Sequence, residues 1–128
     1  MISQSFDLPV EEVVKTLVES IAAAPLALVA HINGQANAAK RGLSVPPDQI
    51  LEVFRPDLAV RVWEADKRAG IEIPLRIHVY ESAGRAVVSH RPPSEIFGRY
   101  DNAALNEISR DLAPLFERVF APLQPYTR

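Results

Sequence analysis

Residues 75–91 constrain the fold more than any other stretch of the sequence. Leu75, Ile77 and Val79 alternate with Arg76, His78 and Tyr80, the two-residue period of a strand with one face turned inward. Ser82-Ala83-Gly84 follow and read as a three-residue connection, with Gly at the position where a bulged hairpin turn needs a positive φ. Arg85 to Arg91 then returns as the partner strand. Pro92-Pro93 ends it, because proline cannot donate to a ladder. Two strands joined this tightly must be antiparallel, so a purely parallel doubly wound sheet is excluded.

Around this hairpin the chain alternates helix and strand signals. Ser3–Phe6 suits a short first strand. Asp7 is a candidate N-cap for a helix in which Val10, Val13, Val14, Leu17, Val18 and Ile21 fall at helical spacing, and Pro25 stops it after about Ala23. Leu26–Ile32 reads as a buried strand, and Gln35–Arg41 as a short helix closed by Gly42. Gln49–Phe54 reads as another strand, and Pro56-Asp57 opens a helix running to about Lys67. A long helix is expected from about Asn102 to Phe120, capped by Asp101 and kinked by Pro114, followed by a loosely held tail from Pro122. Together these predict one α+β domain over residues 1–128: a two-layer sandwich with helices packed on a mixed, mostly antiparallel sheet of four to five strands. The 128-residue length is enough for a real core.

Composition removes several function classes. Fourteen Lys and Arg face sixteen Asp and Glu, and no basic run exists beyond Lys40-Arg41. No nucleic-acid partner is therefore expected, since such binders carry a basic stripe. The absence of Cys excludes disulfides, thiolate metal sites and cysteine nucleophiles. The longest apolar run, Ile21–Ala30, is interrupted by Pro25 and falls short of the ~20 residues that cross a bilayer. With no basic, apolar leader at Met1–Ser5, a soluble cytoplasmic protein without membrane contact is expected. No Gly-rich phosphate loop or nucleophile elbow occurs, so no cofactor is expected and serine hydrolase chemistry has no support.

The middle of the chain resembles a known family. Ala36-Asn37-Ala38-Ala39-Lys40-Arg41-Gly42-Leu43, Pro47-Asp48-Gln49, Arg55-Pro56, Ile73-Pro74-Leu75-Arg76-Ile77 and Val79-Tyr80-Glu81 follow in the order typical of domain of unknown function 302. The resemblance covers residues 7–93, and His31 stands where that family tends to carry a histidine. It departs at Arg55, where the family usually has Asn, and at Ile73, where Leu is usual. The resemblance implies a small α+β fold, often a homodimer, with no established activity.

The candidate site is the outward side of the hairpin. A three-residue turn pairs Arg76 with His90 and His78 with Val88, so that Arg76, His78, Tyr80 and His90 share one face. A guanidinium beside two imidazoles suits a carboxylate or phosphate, and an imidazole can move a proton near neutral pH. The same residues would equally serve as a solvated sheet face or a dimer contact. His31, at a strand end, is a further ligand-binding candidate. His31, His78 and His90 with Glu52 or Glu81 have ligand chemistry but no compact metal-binding spacing, and Arg76 would repel a dication, so no metal is assigned. Trp63 falls at helical spacing from Leu58 and reads as core or as a dimer anchor. The expected function is a non-enzymatic binding module for a small or anionic ligand or a protein partner. The alternative is an enzyme using His78 or His90 in acid–base chemistry on an anionic substrate.

Overall fold

The computed structural model describes residues 1–128. Five strands form a single sheet: β1 (Ile2–Phe6), β2 (Ala27–Asn33), β3 (Asp48–Phe54), β4 (Leu75–Ser82) and β5 (Arg85–His90). Their spatial order is β1-β5-β4-β3-β2, and every neighbouring pair is antiparallel. The sheet is thus antiparallel throughout, a sharper result than the mixed sheet allowed by the sequence.

The helices α1 (Val10–Ala23), α3 (Pro56–Ala65), α4 (Pro93–Phe97) and α5 (Ala103–Phe120) accompany the sheet, with a short α2 (Gly34–Ala39) between β2 and β3. The covered face follows from period-two burial: Leu75, Ile77 and Val79 of β4 lie in one apolar cluster with Leu17 and Ile21 of α1 and Leu105, Ile108 and Leu112 of α5. Burying each such aliphatic side chain contributes about 1.5–3 kcal/mol. Two polar ties lock α1 to α5: Ser20 Oγ donates to the Val119 carbonyl at 2.6 Å, and Arg118 Nη1 donates to the Ala24 carbonyl at 2.9 Å.

Several local expectations are corrected. Asp7 does not cap α1, whose N-cap is Pro9; its carboxylate instead accepts from Arg128. Asn102, not Asp101, caps α5 by accepting from the Leu105 amide at 3.0 Å, while Asp101 takes a left-handed φ of 48°. Pro92-Pro93 both ends β5 and opens α4, an element the sequence reading left out. Trp63 is not core but 49% exposed, with Gly70 packed close to its indole. The tail is not loose: Leu123 is fully buried, and Thr127 forms a β-bridge to Phe6.

Candidate functional site

The open face of the sheet is assembled by β3 and β4. Glu52 sits directly across from Arg76, and Arg76 Nε donates to Glu52 Oε2 at 3.1 Å. Asp48 pairs with Tyr80, two pairs further along that face, and its carboxylate lies 2.9 Å from His78 Nε2. The His78 and Tyr80 rings stack with centroids 4.8 Å apart. On the other flank, Ser89 of β5 stands opposite His78, and its hydroxyl lies 2.8 Å from that of Ser3 in β1.

His90 does not join this face, which corrects the predicted register. The observed pairs are Ile77 with His90 and His78 with Ser89, so every β5 residue is shifted by one from expectation. The cause is the turn. Ser82 pairs with Arg85, leaving the two-residue loop Ala83-Gly84, and both residues have positive φ, 52° and 75°. That is the tight hairpin geometry matched to strand twist, not a three-residue bulged loop. One residue less in the loop turns each β5 side chain to the opposite face. His90 therefore points to the helix side, where its ring stacks on Phe120 at 4.3 Å and its Nδ1 is buried without a hydrogen-bond partner. Burial holds its pKa below the ordinary imidazole value, outweighing the opposing pull of the Arg91 backbone and the Glu95 charge.

Arg76, His78 and His90 nevertheless line one cleft, of about 520 Å³, where β4 begins and β5 ends. The connection leading into β4 and the α4 end close its other walls, bringing in Glu72, Arg91 and Arg99 beside Ser89. Arg99 Nη2 donates to Glu72 at 3.3 Å, and the Tyr100 hydroxyl donates to the same carboxylate at 2.6 Å. That hydrogen bond, assisted by desolvation, raises the Tyr100 phenol's pKa. Arg91 makes no ion pair. Guanidiniums that converge on one cleft can bind carboxylate or phosphate oxygens in fork geometry.

Of the residues singled out from sequence, Arg76, His78 and Tyr80 share the open face, His90 reaches the cleft from the covered side, and His31 lies outside it. His31 is on edge strand β2, with Nε2 2.6 Å from Gln49 Oε1. No group of three or more His, Asp or Glu side chains is placed to hold a metal ion. Sequence reasoning missed Asp48, Arg91, Arg99 and Glu72 as cleft or face neighbours. The β3–β4 register would have exposed Asp48, but nothing local encodes that register.

The profile of domain of unknown function DUF302 matches residues 2–123. The chain belongs to the DUF302 family. The DUF302 match extends past residues 7–93, taking in β1 and α5, so the long C-terminal helix is part of the family's domain. The fold is similar to that of the uncharacterized conserved protein DUF302 from Bacillus stearothermophilus, known from a crystal structure. The two superpose with a TM-score of 0.78 at 24% identity, over 96% of this chain and 94% of that one. No curated protein matches the sequence. The Arg55 departure from DUF302 has a local account here: its guanidinium grips Asp57 in the first turn of α3 at 2.7 Å and donates to the Pro25 carbonyl at 3.2 Å, tying α3 to the segment before β2.

Proposed function

We propose that this DUF302 domain is a non-enzymatic binding module whose ligand is a small anion, held in the cleft by Arg76 and Arg91 with His78 and Ser89 as further hydrogen-bonding groups. The observation that carries the reading is the convergence of Arg76, Arg91 and Arg99 on one cleft while only Glu52 and Glu72 oppose them along its lining. A guanidinium already oriented by a carboxylate is pre-organised, and Arg91, which forms no ion pair, keeps its donors free for a ligand. Thermal-shift titration with phosphate, sulfate and di- and tricarboxylates tests it. At least one anion raises the melting temperature of the wild type, and the shift shrinks in Arg91→Ala and Arg76→Ala. Identical behaviour of wild type and both variants with every anion rejects the site.

An acid–base enzyme is the second reading, favoured by one contact: the Asp48 carboxylate beside His78 Nε2 can hold the ring in one tautomer while Nδ1 handles a proton. Turnover of an anionic substrate would then collapse in His78→Ala and fall in Asp48→Asn. If His90 is the acid–base group instead, His90→Ala abolishes turnover. Unchanged turnover in all three variants discards this reading.

We place the protein as a homodimer within the same proposal. Val60 and Trp63, one helical turn apart on α3, are 47% and 49% exposed and offer an apolar contact patch. Sedimentation at micromolar concentration checks it; a 14.2 kDa species alone refutes it.

A further inference from the structure

We infer that the β1 edge of the sheet, with the apolar groove beneath it, is a docking site for an extended peptide segment of a partner protein, taken up as a sixth strand. Three observations converge on it. The first is the edge itself. β1 is the outermost strand on its side, and the Ser5 carbonyl accepts a bond from the Arg128 amide on the side away from β5. Main-chain groups two residues apart in an antiparallel strand face the same way, so the N–H and C=O of Ser3 also point outward, and no bond from a loop or terminus reaches them. Unpaired groups of this kind are complementary to another extended backbone.

The second observation is that the edge already holds such a backbone along half its length. Asp7 N–H donates to the Tyr126 carbonyl at 2.8 Å, Arg128 N–H donates to the Ser5 carbonyl at 3.0 Å, and Phe6 and Thr127 form an antiparallel bridge. The chain's own C-terminal residues thus occupy the Phe6 end and leave the Ile2–Gln4 end open. A docked segment would continue the same strand line.

The third is the groove, about 500 Å³, between β1 and the second half of α5. Side chains of an added strand alternate between the two faces, and those turned to the helix side would enter it. Its surface is mostly apolar, from Ile2, Pro93, Phe116 and the Phe120 ring that stacks on His90, with Gln4 and Gln124 at its polar positions. Glu117 is the only acidic side chain lining it, and no Lys or Arg does. The occupant this selects is an extended segment with a large apolar side chain on the groove face, a basic residue nearby, and no acidic one. The site lies on the helix side of β1 and shares only His90 with the lining of the anion cleft.

The test is fluorescence anisotropy with a fluorescein-labelled, amidated peptide Lys-Thr-Phe-Thr-Val. Its Glu-for-Lys analogue and two N-methylated versions, one methylated on each set of alternate amides, serve as comparisons. The expected result is saturable binding of the parent peptide that weakens about tenfold or more in one N-methylated version only, because only one set of amides faces β1. Ser3→Pro deletes an outward N–H and should weaken binding by a similar factor, whereas Ser3→Ala, which loses only the hydroxyl bond to Ser89, should bind as wild type. Glu117→Lys should reverse the preference between the Lys and Glu peptides. The N-methylated peptides leave the protein untouched, so the inference is decided even if Ser3→Pro does not fold. Equal binding of both N-methylated versions, or no binding of the parent at about 1 mM, overturns it. A self-associated protein that Ser3→Pro converts to monomer also overturns it, by showing that a second copy occupies the edge.

Discussion

Along β4, Leu75, Ile77 and Val79 disappear under α1 and α5, whereas Arg76, His78 and Tyr80, one residue away in each case, look out from the opposite side. The three covered residues of β4 are held by burial and carry no polar side-chain group to satisfy. The open side is organised pairwise, Arg76 with Glu52 and His78 with Asp48, by contacts that water screens and that are worth at most about 1 kcal/mol each. The difference separates the two tasks of the strand. Stability resides in the covered residues, so the open ones can hold charges and an imidazole without the fold depending on them. His90 is the exception: it lies on the covered side, where burial lowers its pKa below the ordinary imidazole value.

The largest test of this contrast is Ile77→Ala. Ile77 is fully buried, so the substitution should cost about 2–5 kcal/mol in a denaturant titration. The same truncation next door, His78→Ala, should cost about 1 kcal/mol or less; equal losses would break the division between the faces. At the hairpin, Ala83 sits at φ 52°, where a Cβ is strained, so Ala83→Asn should stabilise by about 0.5–1 kcal/mol. A loss there would contradict the two-residue turn and the register built on it. His90 contributes a slope. Its pKa is lower folded than unfolded, so the unfolded chain binds more protons in the window between the two values. Stability is therefore full above the ordinary imidazole pKa of about 6.5 and is lost as pH falls from there to the depressed folded value. His90→Phe should remove that component of the pH profile, as followed by urea midpoints. The smallest expected effect is Arg76→Ala, within about 0.5 kcal/mol of wild type by the same assay.

Much of the layered architecture was legible because it rests on local signals. Alternation at 75–81, helical spacing at Val10–Ile21 and the stripe from Leu105 to Val119 each follow from burial against a shared core. The candidate site was legible only in part. Arg76, His78 and Tyr80 share a face within a single strand, and period two suffices to see it. Asp48 and Glu52 stand beside them through a pairing between β3 and β4 some thirty residues apart, which no local pattern states. Arg91 and Arg99 reach the cleft because Pro92-Pro93 turns the chain into α4 where β5 ends, and the sequence reading saw only the end of the strand.

Which residues of one strand lie on the same side was settled by the amino-acid order alone, since successive side chains in extended backbone must point opposite ways. Which histidines lie together was settled only by the folded chain. A loop of two residues rather than three depends on backbone angles at Ala83 and Gly84 that differ by little in energy, yet it turns the whole of β5 over. The gain from sinking Ala86 and Val88 into the core fixes that choice, and this gain exists only once the helices are in place to receive them.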